Sequence, residues 1–255
     1  MAVDDAILEA AASGKSPPTL RLYAWSPACL SLGLAQPAAD ADPNALERMG
    51  WSMVRRPTGG RAILHTDELT YALIASSHHP IVSGGVLESY NRIAQVLLKA
   101  LEYLALSASA DPIYPLPAGS QPKGPVCFEV PSNYEITVAG KKLIGSAQAR
   151  RKDGFLQHGT LPLIGDLSRI TTALSFASQA ERAEAANRLL DHATTVEQVL
   201  GLKVSWKDAA NAFEIAFRQT FGIELLSGEL SEEEEQRAQV LLEKKYANPE
   251  WTHRV

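Results

Sequence analysis

The sequence predicts an α+β fold, with strands in most of the first part of the chain and helices in the last part. Segments that read as strands recur between positions 20 and 76 and again between 134 and 163. A helical pattern at 86–104 separates the two groups, and helical spacing dominates from residue 175 onward. Because no internal repeat and no long linker divides the chain, we expect one domain over residues 1–255.

The elements of the first strand group follow a short N-terminal helix. Asp42 and Pro43 are typical of a helix start, so 42–49 is predicted as a helix among the strands. The predicted strands are LRLYAWS and LSLGLA, which Ser26 and Pro27 separate, then WSMVRR and the extended stretch AILHTDELTYALIAS.

For the rest of the chain, the sequence predicts a helix, a loop, three consecutive antiparallel strands and a helical C-terminal part. Prolines crowd residues 108–131, which favours irregular loop because proline donates no hydrogen bond to a ladder. Three strands are expected in YEITV, KKLIGSAQARR and GFLQHGTLPL, joined by turns at Ala139-Gly140 and Asp153-Gly154. Helices are expected at 175–190, 194–200 and 206–221, with a last one beginning at Ser231, whose spacing to Glu234 predicts a capping box.

Bulk properties exclude several classes of protein. The formal charge is −5 and the basic residues are scattered, so no basic stripe suits nucleic acid. No apolar run is long enough to cross a bilayer, and the acidic start MAVDDAILEA does not resemble an export signal. Two cysteines are too few for a disulfide framework, which favours a reducing compartment. We expect a cytoplasmic monomer.

The segment RRPTGGRAILHTDELTY, residues 55–71, is the first candidate for chemistry. Gly59 and Gly60 beside Thr58 let backbone amides approach a ligand, and the arginines Arg55, Arg56 and Arg61 supply positive charge. A simple hairpin turn without a ligand explains the glycine pair as well as a ligand-binding loop does. Histidines on strands are more often structural than catalytic, and this is the expectation for His65 and His158.

Cys127 is the second candidate. Cys29 lies in a predicted strand and reads as a small buried residue, whereas Cys127 lies in the proline-rich segment beside a predicted sheet. A thiol becomes a nucleophile only when a neighbouring cation favours the thiolate. Lys141 or Lys142 could supply that charge, and since they alternate along a strand only one can face the thiol. Two solvated turn lysines are the simpler interpretation of these residues alone.

Taken together and in order, several motifs resemble one family over nearly the whole chain. RRPTGGRAILHTDELTY, CFEVPSNYEI, GKKLIGSAQARR, LQHGT and KKYANPEW are similar to motifs of the lipoate-protein ligase and octanoyltransferase family. The cysteine of CFEVPSNYE and the arginine ending TGGR resemble its Bacillus-type octanoyltransferase branch. ATP-dependent ligases typically carry a third glycine where this chain has Arg61, and they do not need the cysteine.

This resemblance implies a fold and an activity. The fold is a class II biotin/lipoate ligase-like catalytic domain, with mixed and antiparallel sheets flanked by helices and a helical C-terminal part. Cys127 would carry octanoyl as a thioester, and Lys142 would favour its thiolate. The donor would be octanoyl-acyl carrier protein, and the acceptor a lysine of the glycine-cleavage H protein or another lipoyl domain. No metal and no cofactor is implied.

The resemblance also implies the residues that bind the substrate and leaves alternatives open. The expected substrate-binding residues are Arg56, Thr58, Gly59, Gly60, Arg61, His65, Gly145, Ser146, Gln148 and His158. The alternatives are an ATP-dependent lipoate or octanoate ligase, an amidotransferase that moves acyl groups between lipoyl domains, and a non-catalytic protein that binds lipoyl domains.

Overall fold

A computed structural model of the protein describes residues 1–110 and 135–255. Eight strands and eight α-helices are assigned within these residues. The strands are β1 Thr19–Tyr23, β2 Cys29–Leu32, β3 Ser52–Arg55, β4 Ile63–His65, β5 Glu68–Ser76, β6 Ile136–Val138, β7 Lys141–Arg150 and β8 Gly154–Pro162. The helices are α1 Ala2–Ala12, α2 Pro43–Met49, α3 Val86–Tyr103, α4 Gln179–His192, α5 Val196–Leu200, α6 Trp206–Phe221, α7 Glu232–Leu241 and α8 Pro249–Thr252.

The larger sheet has five strands in the order β1-β5-β8-β7-β6, and every neighbouring pair is antiparallel. Its central strand is β8, and the neighbouring strand β5 is buried on both faces. Leu69 and Tyr71 pack into the core formed with α3 and α6, whereas Ala72 and Ile74 pack against α1. Because both faces are covered, residues 71–75 of β5 form a continuous apolar run rather than an alternating one.

The smaller sheet has three strands in the order β3-β2-β4. Strand β2 pairs with β3 in parallel and with β4 antiparallel, so this sheet is mixed. A 3₁₀ segment, Leu167–Ala173, packs with α2 and α4 against it around a second apolar cluster. The predicted α+β fold with mixed and antiparallel sheets is therefore confirmed.

Local signals predicted several element boundaries well. The Asp42 side chain accepts a hydrogen bond from the Ala45 amide at 3.0 Å, and Pro43 opens α2. Ser231 and Glu234 form the predicted capping box of α7. The Ala139-Gly140 turn between β6 and β7 has positive φ at both residues, 49° and 78°. Such a turn matches the twist of the strands that it joins.

The C-terminal helices complete the fold. Helix α6 packs on α3, with Phe213 and Phe217 buried in the main core, and α7 packs on α1. Within the described residues, no helix combines the length and the apolar character needed to cross a membrane.

Candidate active site

A cavity of about 380 Å³ lies where the two sheets meet, and its surface is mostly apolar. Its size is in the range of small-molecule sites. Both sheets, the loop between β3 and β4, and the first turns of α3 contribute to its wall. The lining residues are Met1, Ser31, Arg56, Gly59, Gly60, Arg61, Ile63, His65, Thr70, Val86, Tyr90, Lys142, Gly145, Ser146, Ala147, Gln148, His158, Gly159 and Thr160.

The wall formed by β7 and β8 depends on a close approach at Gly159. A Cβ atom at this position would lie 2.6 Å from the Gly145 carbonyl oxygen and 2.7 Å from Tyr71 Cε1. Beside it, the Tyr71 hydroxyl and Ser146 Oγ are 2.7 Å apart, and Gln157 donates to the same tyrosine at 2.8 Å. Burial raises the pKa of Tyr71 to about 12, so its hydroxyl stays protonated at neutral pH.

The two adjacent lysines of β7 have different surroundings. Lys142 is buried and lines the cavity, and its Nζ donates to a Glu135 carboxylate oxygen. Lys141 is half-buried on the other side of the strand, where its Nζ donates to the Leu190 carbonyl at 2.6 Å. The structure therefore selects Lys142 as the lysine that a bound ligand would meet.

Arg56 organises the loop that contains the glycine pair. Its guanidinium donates to the Ser31 carbonyl at 2.9 Å, to the Gly59 carbonyl at 2.9 Å and to the Arg61 carbonyl at 2.7 Å. The planar fork of an arginine suits several acceptors at once. Arg56 thus ties the loop to β2 and gives the cavity wall its shape.

A chain of hydrogen bonds runs through the same wall from Ser31 to Glu68. Ser31 Oγ lies 2.8 Å from His65 Nε2, and His65 Nδ1 lies 2.5 Å from a Glu68 carboxylate oxygen. Trp25 stacks on the His65 ring at a centroid distance of 4.2 Å, and its indole donates to Thr70 at 2.9 Å. With its ring stacked and its nitrogens hydrogen-bonded, His65 is held in one orientation.

His158 connects β8 to the glycine-containing loop. Its Nε2 lies 2.7 Å from Thr58 Oγ1. Burial lowers the pKa of His158 to about 3, against a smaller opposing effect of Asp4. The imidazole is therefore neutral at neutral pH, and it supports the loop as a hydrogen-bonding group rather than as a cation.

The sequence of the chain matches a known family. The model of the lipoyl protein ligase A/B catalytic domain matches residues 1–218. This chain belongs to that family. The family resemblance predicted from the sequence motifs is therefore confirmed.

Relatives within the lipoyl protein ligase A/B family align with the whole chain. The octanoyltransferase LipM of Kyrpidia tusciae is 39% identical over 259 residues, covering 100% of this chain and 93% of the relative. That of Symbiobacterium thermophilum is 38% identical, with 100% and 93% covered.

Solved structures share the fold of this family member. A bipartite lipoate protein ligase of Thermoplasma acidophilum has a TM-score of 0.80 at 23% identity, covering 99% of this chain and 89% of that one. A lipoate-protein ligase A bound with ATP has a TM-score of 0.78 at 24% identity, with 99% and 92% covered.

Most of the site residues predicted from the sequence lie together in this family member. The cavity is lined by Arg56, Gly59, Gly60, Arg61, His65, Lys142, Gly145, Ser146, Gln148 and His158. Thr58 is not among the lining residues, but its Oγ1 lies 2.7 Å from Nε2 of the lining residue His158. The predicted nucleophile Cys127 lies outside the described residues, so its pairing with Lys142 stays a prediction.

The suggestion that Arg55 supplies charge to a ligand is wrong. Arg55 is fully buried, and its guanidinium donates to the Gly33, Gln36 and Thr252 carbonyls. Its charge is thus used inside the protein, between the small sheet and the C-terminal helix α8.

Sequence reasoning also missed several residues of the site. Ser31, Thr70, Tyr90 and Gly159 line the cavity, and Glu135 contacts Lys142. For Glu135 the sequence carries no sufficient signal, because its need for a partner follows from its burial, which only the structure shows. For Ser31 no local signal existed, since its partners Arg56 and His65 are 25 and 34 residues away in the chain.

Proposed function

We propose that the chain is an octanoyltransferase of lipoate biosynthesis that holds octanoyl as a thioester on Cys127 and transfers it to a lysine of a lipoyl domain. Relatives that are 37–39% identical over the full chain are octanoyltransferases, which supports an acyltransferase activity. The observation that carries the proposal is a buried lysine, Lys142, in the wall of a mostly apolar cavity.

The cavity offers the apolar surface that an acyl chain needs. Burying one methylene contributes about 0.8 kcal/mol, so the six methylenes of octanoyl contribute roughly 5 kcal/mol. Gly145, Ala147 and Gly159 leave room beside the strands, and Ile63 and Val86 add apolar contacts. A chain of medium length is therefore the ligand class that this site favours.

In the first half-reaction, the Cys127 thiolate attacks the carbonyl carbon of the donor thioester. A new carbon–sulfur bond forms to Cys127, and the bond to the donor sulfur breaks. The departing thiolate takes up a proton from solvent. The ammonium of Lys142 would stabilise the thiolate before attack and the negative oxygen that develops during attack.

In the second half-reaction, the neutral amine of the acceptor lysine attacks the enzyme thioester. A carbon–nitrogen bond forms, the bond to Cys127 sulfur breaks, and a proton leaves the nitrogen as the sulfur leaves. The proposal includes no ATP, because the conversion of a thioester to an amide is downhill. Two half-reactions on one cysteine imply ping-pong kinetics.

The identity of the partners is part of the proposal. Octanoyl-acyl carrier protein would be the donor, and the glycine-cleavage H protein or another lipoyl domain would be the acceptor. We also place the reaction in the cytoplasm, where a catalytic thiol stays reduced.

The test is to mix the protein with octanoyl-acyl carrier protein without ATP and to measure its intact mass. An octanoyl adduct is expected in the wild type and in Cys29→Ala, and not in Cys127→Ala. Cys29 is a matched control because it is the other cysteine of the chain, is buried in β2, and has a pKa that burial raises. Hydroxylamine should remove the adduct, since it cleaves thioesters.

Two outcomes would overturn the proposal. If no adduct forms and acyl transfer requires ATP and survives Cys127→Ala, the chain is a ligase. If octanoyl moves only from one lipoyl domain to another, the reaction is amidotransfer.

A further inference from the structure

Glu135 is the buried carboxylate that contacts Lys142. Its carboxylate accepts the hydrogen bond of Lys142 Nζ, and both side chains are buried, at 6% and 3% exposure. Lys142 is among the residues that line the cavity, whereas Glu135 is not. Glu135 therefore contacts a residue of the cavity wall without lining the cavity itself.

The backbone around the pair is fixed from two sides. Thr137 of β6 pairs with Lys142 of β7, and the Thr194 amide donates to the Lys142 carbonyl at 3.0 Å. The β6–β7 register shifts between Ile136 and Thr137, so β7 has an extra residue at Leu143. Such bulges redirect side chains and are common beside active sites. With the backbone held, the freedom that remains is in the long side chain of Lys142.

A buried ion pair is a weak means of stabilising a fold. The loss of hydration of two buried charges offsets their attraction, and apolar residues of similar volume often serve stability as well. The pair has a clearer use in fixing the position of one charge. An ammonium on a flexible four-carbon stem has many rotamers, and a carboxylate at its end selects one of them.

We propose that Glu135 is a positioning residue that holds the ammonium of Lys142 at the place where acyl transfer needs it. The inference rests on the proposed function, because it assumes that Lys142 acts on the reacting thioester. Electrostatic stabilisation in a site of low polarity depends strongly on distance, and a misplacement of about 1 Å can cost up to a hundredfold in rate. Glu135 would thus control the rate of thioester formation and contribute little to the binding of the acyl chain.

The experiment measures the rate at which octanoyl is loaded onto the protein, by quenching and intact mass, at several donor concentrations. In Glu135→Gln the maximal rate should fall about tenfold to a hundredfold, with the half-saturating donor concentration nearly unchanged. Glu135→Asp keeps the negative charge, and its loading rate should lie between those of the wild type and of Glu135→Gln.

Asp5→Asn is the matched control. Asp5 is also a fully buried carboxylate, paired with Arg151 and Lys245, and it does not line the cavity. It should lower the melting temperature without a comparable loss in loading rate. In a Lys142→Met background, Glu135→Gln should cause no further loss, because its effect passes through the lysine.

The outcomes separate the two hypotheses. If the wild type forms no thioester, the proposed function fails, and this inference with it. If the wild type is loaded normally and Glu135→Gln is loaded at the same rate, only this inference fails. It also fails if Asp5→Asn slows loading equally, or if Glu135→Gln slows loading further in Lys142→Met.

Discussion

The two walls of the cavity use their charged residues in opposite ways. In the wall formed by the small sheet, the Arg56 guanidinium is turned onto backbone carbonyls, and His65 is bound between Ser31 and Glu68. In the wall formed by the large sheet, Lys142 lines the cavity and donates a hydrogen bond to the Glu135 carboxylate. The small-sheet wall thus has the character of a scaffold, and the large-sheet wall is the one to which the proposed function assigns the chemistry.

This difference shows that charge near a cavity is not sufficient to identify chemistry. Arginine is well suited to bind several carbonyls in a fixed geometry, and here it shapes a loop. A lysine presents one compact charge that can be placed against a reacting atom. We therefore expect substitutions in the two walls to affect different measurements.

The largest expected effect concerns the two lysines of β7. Lys142→Met should reduce the rate of octanoyl loading by about 10²–10³, which is the usual loss when one stabilising group is removed from an active site. Lys141→Met should change the rate by less than about threefold, because its Nζ contacts the Leu190 carbonyl outside the cavity. Loading rates from quenched intact-mass measurements would check this. Equal losses in both variants would mean that lining the cavity does not set Lys142 apart from Lys141.

The next effect concerns the scaffold wall. Ser31→Ala should lower the free energy of unfolding by about 1–3 kcal/mol, because buried Arg56 and His65 each lose a hydrogen-bond partner. Chemical denaturation would measure it, with the exposed Ser52→Ala as the control. We expect loading of the folded variant to need more donor while its maximal rate changes little. A large fall in maximal rate at unchanged stability would show that this wall takes part in the chemistry.

A third effect concerns the apolar surface between the walls. Shortening the acyl chain from eight to six carbons should lower kcat/KM about tenfold, because two methylenes lose their burial. Competition between octanoyl and hexanoyl donors would measure the ratio directly. An equal preference for both chains would mean that the acyl group does not occupy this cavity.

The smallest effect concerns pH and His158. The pKa of His158 is about 3 in the folded protein and near the ordinary 6.5 in the unfolded chain, so below pH 6.5 the unfolded chain binds more protons. Its contribution to stability is therefore present above pH 6.5 and is lost as pH falls toward 3. Between pH 7.5 and 5.5 the loss should be about 1 kcal/mol, and His158→Gln should not show it. Urea denaturation of both proteins at the two pH values would test this sign, and a loss that persists in the variant would contradict it.

Much of the fold was predictable because its signals are local. Asp42 with Pro43, the Ala139-Gly140 turn and the capping box of Ser231 each act within a few residues. Alternation along β7 also correctly placed Lys142 and Lys141 on opposite sides.

What could not be predicted depends on partners that are distant in the chain. Arg55 and Arg56 are neighbours of the same type, yet one donates to Thr252 and the other to Ser31. Alternation along an extended chain predicts that the two arginine side chains point in opposite directions, but it does not predict which of them lines the cavity. Likewise, no residue near Ser31 in the sequence indicates that His65 will lie beside it.

The interior position of Arg55 has a practical consequence for where the chain can be cut. The family match ends at residue 218, but the Thr252 carbonyl accepts two hydrogen bonds from Arg55, at 3.0 and 2.7 Å, and Trp251 donates to the Arg55 carbonyl at 2.9 Å. A protein shortened to the matched segment would retain the Arg55 guanidinium and lose the Thr252 carbonyl, which accepts two of its hydrogen bonds. The C-terminal residues thus cover the small sheet. A shortened protein that is meant to fold stably should therefore extend beyond residue 218, where the family match ends.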